Sequence, residues 1–436
     1  MTDITRILTR PRDIADMCSL LEQAGYEAYI VGGCVRDALM GREPSDIDIA
    51  SAATPDEASA LLSAHGYRIV LTGAHYGTIG VIAPDGPMRE LTTLRCDGSY
   101  SDGRHPDSVA YTRRIEEDLA RRDFTINAIA LRPAQADGGL IDPFGGRTDI
   151  ALRVIRAVGN AQARFNEDAL RIMRCARFAA QLGFTIESET LAAVRQCGGN
   201  LAHIAAERIA VELEKMLSAP HPEAIGMLEG GALNAVLPET AALWRDAAMR
   251  DACLAALPRI TSPTNLSEPL ASDWLFCARL ATLLGDATPD AIAERCAALR
   301  LRTRTTMLIG SMARLTNQPL PAGRIGLKHA LSLHGLDAVS GALSLHRASG
   351  NADAAAFADA LLQTLADVLV SGEPYRLASL AVNGADMLAL GFIGQNVGAS
   401  LNACLAHVMA HPQKNTREAL QSFARSLSFN SPENGG

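Results

Sequence analysis

Val31-Gly32-Gly33-Cys34-Val35-Arg36-Asp37 is followed closely by Ser45-Asp46-Ile47-Asp48-Ile49, and these two stretches decide the fold. The first closes an apolar, strand-like run and opens a helical one. Paired glycines let a backbone approach an anion closely, and a helix that starts there turns its free N–H groups toward phosphate. Arg36, one turn on, adds positive charge. In the second stretch, residues i and i+2 of a strand share a face, so Asp46 and Asp48 present two carboxylates together. Like charges side by side are costly unless a cation lies between them, and Mg²⁺, served by one or two carboxylates plus phosphates, suits that arrangement. Taken singly, a Gly-Gly turn is commonly structural and a bare Asp-x-Asp is commonly a polar turn. Their closeness points to a metal–nucleotide site.

Outward from this point the chain shows two regimes. Up to about residue 145, short β-like runs alternate with turns and helical segments. The runs are Glu27–Val31, Ile47–Ala50, Tyr67–Leu71, Thr78–Ala83, Glu90–Leu94 and Ile126–Leu131, and the helical segments include Ile14–Ala24 and Pro55–Ala64. Beyond about 150, Ala- and Leu-rich segments of helical period dominate, among them Glu167–Leu182, Ala205–Leu217, Trp274–Leu284, Ala352–Leu369 and Val397–Met409. The reading is α+β: an N-terminal head with a mixed sheet, then helices. The 436 residues, 48% hydrophobic and 20% charged, exclude a disordered chain. No uninterrupted apolar run reaches the length of a membrane span, and Met1–Arg12 is polar, without the apolar stretch of a secretory signal. Nine scattered cysteines with no C-x-x-C pair argue for reduced thiols, against zinc and against a disulfide framework. A net charge of −8 excludes indiscriminate nucleic-acid binding but leaves room for a local basic surface.

Further stretches follow in order: Glu90-Leu-Thr-Thr-Leu-Arg95, Arg121-Arg122-Asp123-Phe124-Thr125-Ile126-Asn127-Ala128, Ile141-Asp142-Pro143-Phe144-Gly145-Gly146, and Glu167-Asp168-Ala-Leu-Arg171-Ile-Met-Arg174. With Gly32-Gly33-x-x-Arg36-Asp37 and Asp46-x-Asp48, this succession resembles the class II nucleotidyltransferases, the branch holding tRNA CCA-adding enzymes and bacterial poly(A) polymerases. The likeness is dense from Tyr29 to Leu217 and resumes at Asn383-Gly384-Ala385-Asp386-Met387.

The resemblance implies a polymerase-β-like head (1–148), a helical neck carrying a nucleotide-selecting template (149–220), a helical body (221–375) and a helical tRNA-binding tail (376–436). It implies template-independent CCA addition to tRNA from CTP and ATP with release of pyrophosphate, in the cytoplasm, by two-metal transfer in which Asp46 and Asp48 hold two Mg²⁺ ions, helped by Glu90. It assigns Gly32, Gly33, Arg36, Asp37, Arg122, Asp123 and Asn127 to the nucleotide's phosphates, ribose or metal. Arg122 suits a triphosphate because its guanidinium forks onto two oxygens. It gives Asp168 and Arg171 the reading of the base, with Arg174 and Arg177 serving phosphates or holding that pair. Residues 93–107 resemble the family's mobile loop. No obligate protein partner is indicated.

On the residues alone, Asp168 and Arg171 also read as a surface ion pair three apart on a helix. The window 147–177 holds seven Arg against Asp149, Glu167 and Asp168, an excess of +4, and a second basic cluster lies at Arg295, Arg300, Arg302, Arg304 and Arg314; both suit an RNA backbone. Two rival readings are a poly(A) polymerase, disfavoured by the absence of a basic C-terminal stretch, and a non-catalytic RNA-binding relative, disfavoured by the intact Asp46, Asp48 and Glu90. No His-Asp dipeptide occurs, so the metal-dependent phosphohydrolase domain of some relatives is not expected.

Overall fold

The computed structural model describes residues 4–84, 86–98, 109–134, 139–285 and 287–427. Most of the loop read at 93–107 and the tail from 430 lie outside the described residues. The chain divides into two compact units, Met1–Pro238 and Glu239–Gly436.

In the first unit the strands are β1 (Ala28–Val31), β2 (Asp48–Ser51), β3 (Arg68–Val70), β4 (Thr78–Ile82), β5 (Met88–Thr93), β6 (Arg95–Asp97), β7 (Val109–Tyr111), β8 (Ala130–Leu131), β9 (Leu140–Ile141) and a short parallel pair, β10 (Val154–Ile155) and β11 (Thr185–Ile186). Seven form one mixed sheet in the order β3-β4-β5-β2-β1-β8-β9, while β6 and β7 pair as a separate antiparallel ribbon. Only the β2–β5 pairing in the large sheet is parallel, with Ile49 opposite Leu91. The α-helices are α1 (Ile4–Leu8), α2 (Arg12–Gln23), α3 (Gly33–Leu39), α4 (Pro55–Ala64), α5 (Ile115–Ala120), α6 (Gly146–Leu152), α7 (Ala161–Glu167), α8 (Leu170–Leu182), α9 (Ser188–Cys197), α10 (Ala206–Leu217) and α11 (Gly231–Val236).

Alternation along the strands builds two cores. Ile30 and Ile49 pack with Ile14, Met17 and Leu21 of α2 on one face; Tyr29, Val31 and Ala50 pack with Ile115 and Leu119 of α5 on the other. Each such aliphatic side chain contributes about 1.5–3 kcal/mol by leaving water. The start of α4 shows the local logic: Thr54 caps it by accepting from the N–H of Glu57 at 3.3 Å, while Glu57 accepts from the N–H of Thr54 at 2.8 Å.

Two sequence expectations are corrected. Ile126–Leu131 is not one strand but a tight 3₁₀ turn, Thr125–Asn127, leading into the two-residue β8, because the side chains there are held by the cavity network described below. Glu167–Leu182 is not one helix. It breaks at Asp168 (φ −141°, ψ 102°), whose carboxylate accepts from the N–H of Leu170 at 3.0 Å and so competes with the helical pattern.

The described residues of the second unit form helices joined by loops, with no strand among them. Its core gathers Leu331, Leu343, Leu361, Leu365, Val408 and Leu420 from several helices. The helix Gly323–Ala348 is interrupted at Gly335 (φ 77°, ψ 169°), a conformation that only glycine adopts cheaply. Lys328, 1% exposed, donates to Glu373 at 2.7 Å, and Arg324 joins the same carboxylate. The helix Ala352–Ser371 is, by length and composition alone, apolar enough to cross a membrane, though it is not an uninterrupted apolar run. Asp353, Asp359 and Asp367 break that run, and Leu361, Leu362, Leu365 and Val368 pack it into the unit's core. All nine cysteines are free thiols.

Candidate active site

The parallel register that sets Ile49 opposite Leu91 also brings Asp48 beside Glu90 at one end of the sheet. There a cavity of about 520 Å³ opens, walled by the Gly32-Gly33 turn, Asp48, Glu90, the Arg121–Asn127 segment and the first turns of α8. Gly32 caps α3 with φ +83°, and a Cβ on it would stand 2.8 Å from Nη1 of Arg122. The glycine therefore makes room for a guanidinium over the turn.

Ile47 and Ile49 are buried and Asp46 and Asp48 exposed, as the i, i+2 pattern requires. Although its side chain is exposed overall, partial desolvation at the cavity wall raises the Asp48 carboxyl above its ordinary range, and the charges of Glu90 and Asp46 add to this while Arg122 opposes it. Asp48 and Glu90 line the cavity; Asp46 lies beside it, outside the wall. Among the described residues no three His, Cys, Asp or Glu side chains come together closely enough to enclose an ion unaided. The donor set is two or three crowded carboxylate oxygens facing an open cavity. It fits a hard divalent cation whose remaining ligands come from phosphate and water.

Opposite the carboxylates, hydrogen bonds run in a chain. Arg36 donates to Asn127 at 2.7 Å, Asn127 donates to Asp123 at 3.2 Å, and Arg174 donates to the other oxygen of Asp123 at 2.7 Å. Burial works against ionisation of Asp123, but Arg174, the Asn127 amide and the Phe124 N–H outweigh it and hold the carboxyl below its usual range. Three guanidiniums converge on the ring of Phe178: Arg177 at 3.9 Å, Arg36 at 5.3 Å and Arg174 at 5.4 Å from its centroid. Asp37 and Arg177 lie outside the cavity wall. Asp37 pairs with Arg36 at 2.9 Å, and Arg177 pairs with Glu212 and donates to Gln181.

Asp168 and Arg171 both face the cavity, yet they are not each other's partners. Arg208, on α10, donates to Asp168 at 3.0 Å. Arg171 donates to Glu167 at 2.7 Å and to the carbonyl of Arg121 at 3.0 Å. The surface ion pair considered from spacing is thus replaced by two side chains held separately on the cavity wall. Asp118, Phe178, Arg208 and Glu212 are missed by motif reasoning. The spacing of Arg208 and Glu212, four apart on one helix, was the one available signal for that pair.

A mixed sheet with adjoining acidic strands, a glycine turn and an arginine-lined cavity defines a nucleotidyltransferase head. Residues 28–156 match the family described as "Poly A polymerase head domain", and residues 183–243 match "Probable RNA and SrmB- binding site of polymerase A". The chain is 48% identical over 219 residues to the CCA-adding enzyme of Geobacillus thermodenitrificans, an alignment covering 50% of this chain and 52% of that one. Several such relatives are matched over only about half their length. The CCA-adding enzyme of Lactiplantibacillus plantarum is 38% identical over 416 residues, 93% of each chain. The crystal structure of the Bacillus stearothermophilus CCA-adding enzyme in complex with CTP superposes with a TM-score of 0.76 at 31% identity, covering 95% of this chain and 97% of that one. The chain belongs to the CCA-adding enzyme family.

Proposed function

We propose that this chain adds CCA to tRNA 3′ ends from CTP and ATP, without a nucleic-acid template and with release of pyrophosphate. The observation that carries the reading is that one cavity joins the Asp48–Glu90 carboxylates, an arginine over a glycine turn, and the separately held edges of Asp168 and Arg171. Asp48, with Asp46 beside it, holds the cation, and Glu90 supports it and the incoming 3′-hydroxyl. A divalent cation, Mg²⁺ by the hardness of these ligands, lowers the pKa of that hydroxyl and neutralises the triphosphate when bound. Gly32 and Gly33 bring the backbone against the phosphates, with Arg36 and Arg122 supplying charge. Asp123 and Asn127 orient Arg174 and Arg36, and Arg174 faces the nucleotide. Asp168 accepts from the exocyclic amine shared by cytosine and adenine, while Arg171 donates to the ring nitrogen beside it; uracil and guanine present the reverse pattern. Residues 1–148 serve as head, 149–220 as neck, 221–375 as body and 376–436 as the tRNA-gripping tail, and the enzyme works in the cytoplasm on tRNA with no obligate protein partner.

The test is a tRNA transcript lacking its last three nucleotides, offered each nucleotide alone and then CTP with ATP. Growth by two with CTP and by three with both supports the reading. A long ladder with ATP alone means a poly(A) polymerase, and no growth at all returns the chain to RNA binding. Asp48→Asn is expected to lower single-turnover transfer by about three orders of magnitude or more while tRNA binding, followed by filter retention, is kept.

A further inference from the structure

Asp118, on α5, does not line the cavity, and its carboxylate is 1% exposed. Two arginines that do line the cavity converge on it. One oxygen accepts from Arg121 at 2.6 and 3.1 Å and faces the backbone N–H of Arg95 at 3.4 Å. The other accepts from Arg122 at 3.2 Å. From there the contacts run in three directions. Arg122 extends over Gly32, with a buried Nε that has no hydrogen-bond partner among the described residues. Arg121 offers its carbonyl to Arg171 at 3.0 Å. Arg121 also donates to the carbonyl of Arg95, where the β6–β7 ribbon begins, at 3.2 Å.

We propose that Asp118 is a positioning residue whose single carboxylate sets both the arginine that meets the triphosphate and the backbone carbonyl that seats the base-reading Arg171. This rests on the function proposed above. Burial alone would favour a neutral acid, but Arg121 and Arg122 hold the group below its ordinary range, so it stays an anchoring charge. A buried ion cluster is by itself a poor source of stability. What this one supplies is direction: the Arg122 guanidinium keeps its place over the Gly32 turn only while the nitrogen that meets Asp118 is fixed. Phosphate grip and base choice, read by residues far apart in sequence, share this support.

The experiment compares Asp118→Asn and Asp118→Glu with wild type in the full-length protein. KM and kcat for CTP and ATP, UTP and GTP misincorporation, equilibrium binding of CTP and ATP by calorimetry, and thermal melting are read together. Asp118→Asn is expected to raise KM and the dissociation constant for both nucleotides about ten- to hundredfold, the range for losing one charge-assisted hydrogen bond. Misincorporation rises with it, while KM for tRNA stays put. Asp118→Glu, which keeps the charge, recovers part of the loss. Unchanged nucleotide affinity and base discrimination, with only a lowered melting temperature or active fraction, would overturn the proposal. Wild type that binds CTP and ATP but adds no CCA would refute the functional reading alone, because the binding ratio of variant to wild type still reports on Asp118.

Discussion

At Asp168 the backbone leaves the helix for one residue, and that departure lets its carboxylate turn to Arg208 while Arg171 stays with Glu167. Separate anchorage has a measurable signature. Asp168→Ala is expected to reduce discrimination of CTP and ATP against UTP and GTP by about 1–3 kcal/mol, the worth of one paired base edge. Arg208→Ala should act in the same direction but more weakly, because the carboxylate remains and only its aim is lost. The double variant tests the link. Combined effects short of the sum of the two singles place both residues in one device, whereas strict additivity would separate them. Gly32 belongs to the same scale: any side chain there needs both a left-handed φ and the space now held by Arg122.

Elements join through few but decisive contacts, and the second unit offers the cleanest case. The long helix broken at Gly335 is fastened near its start by Lys328 and Arg324 to Glu373, just past the end of the next helix. Hydrogen bonds from Arg324 and then Lys328 depress the Glu373 carboxyl from 4.5 to about 2. A depressed carboxyl contributes stability that is full above its unfolded value and is lost as pH falls through the folded one. Glu373→Gln, which leaves a buried ammonium unpaired, is therefore expected to cost about 3 kcal/mol in urea unfolding at pH 7. The gap to wild type should close between about pH 4.5 and 2. Element content was largely legible from sequence: β1 to β5 fall in short, partly β-branched runs beside turn residues, and α4 announces itself by Thr54-Pro55. The break between α7 and α8 was not, since Glu167–Leu182 carries an unbroken helical period and the break depends on partners from α5 and α10. Asp118, Phe178 and Arg208 stayed hidden for the same reason. Their importance lies in which distant arginine they meet, and no local pattern encodes that.

Across the whole molecule, charge counted along the chain overstates the basic surface. Of the seven arginines in 147–177, Arg156 pairs with Asp149 and Glu187, Arg164 and Arg171 with Glu167, Arg174 with Asp123, and Arg177 with Glu212. In the second cluster Arg295 is held by Glu239. With Arg304 at 3.5 Å from Asp337, seven of the twelve arginines already have a carboxylate partner, so the salt dependence of tRNA binding should be shallower than the count along the chain suggests. Between 50 and 200 mM monovalent salt, affinity is expected to fall about ten- to hundredfold in a filter-binding titration, as for two to four phosphate contacts. A loss beyond about a thousandfold would require a far broader basic face. The anchored pair at Asp168 and Arg171 carries a different consequence. On the proposed function, these two side chains are a message written in amino acids and copied into RNA, reversing the usual direction of information. Such a text cannot be proofread against a complementary strand. A single missense change in its codons would loosen the ends of all the tRNAs this chain completes at once, rather than alter one gene's product.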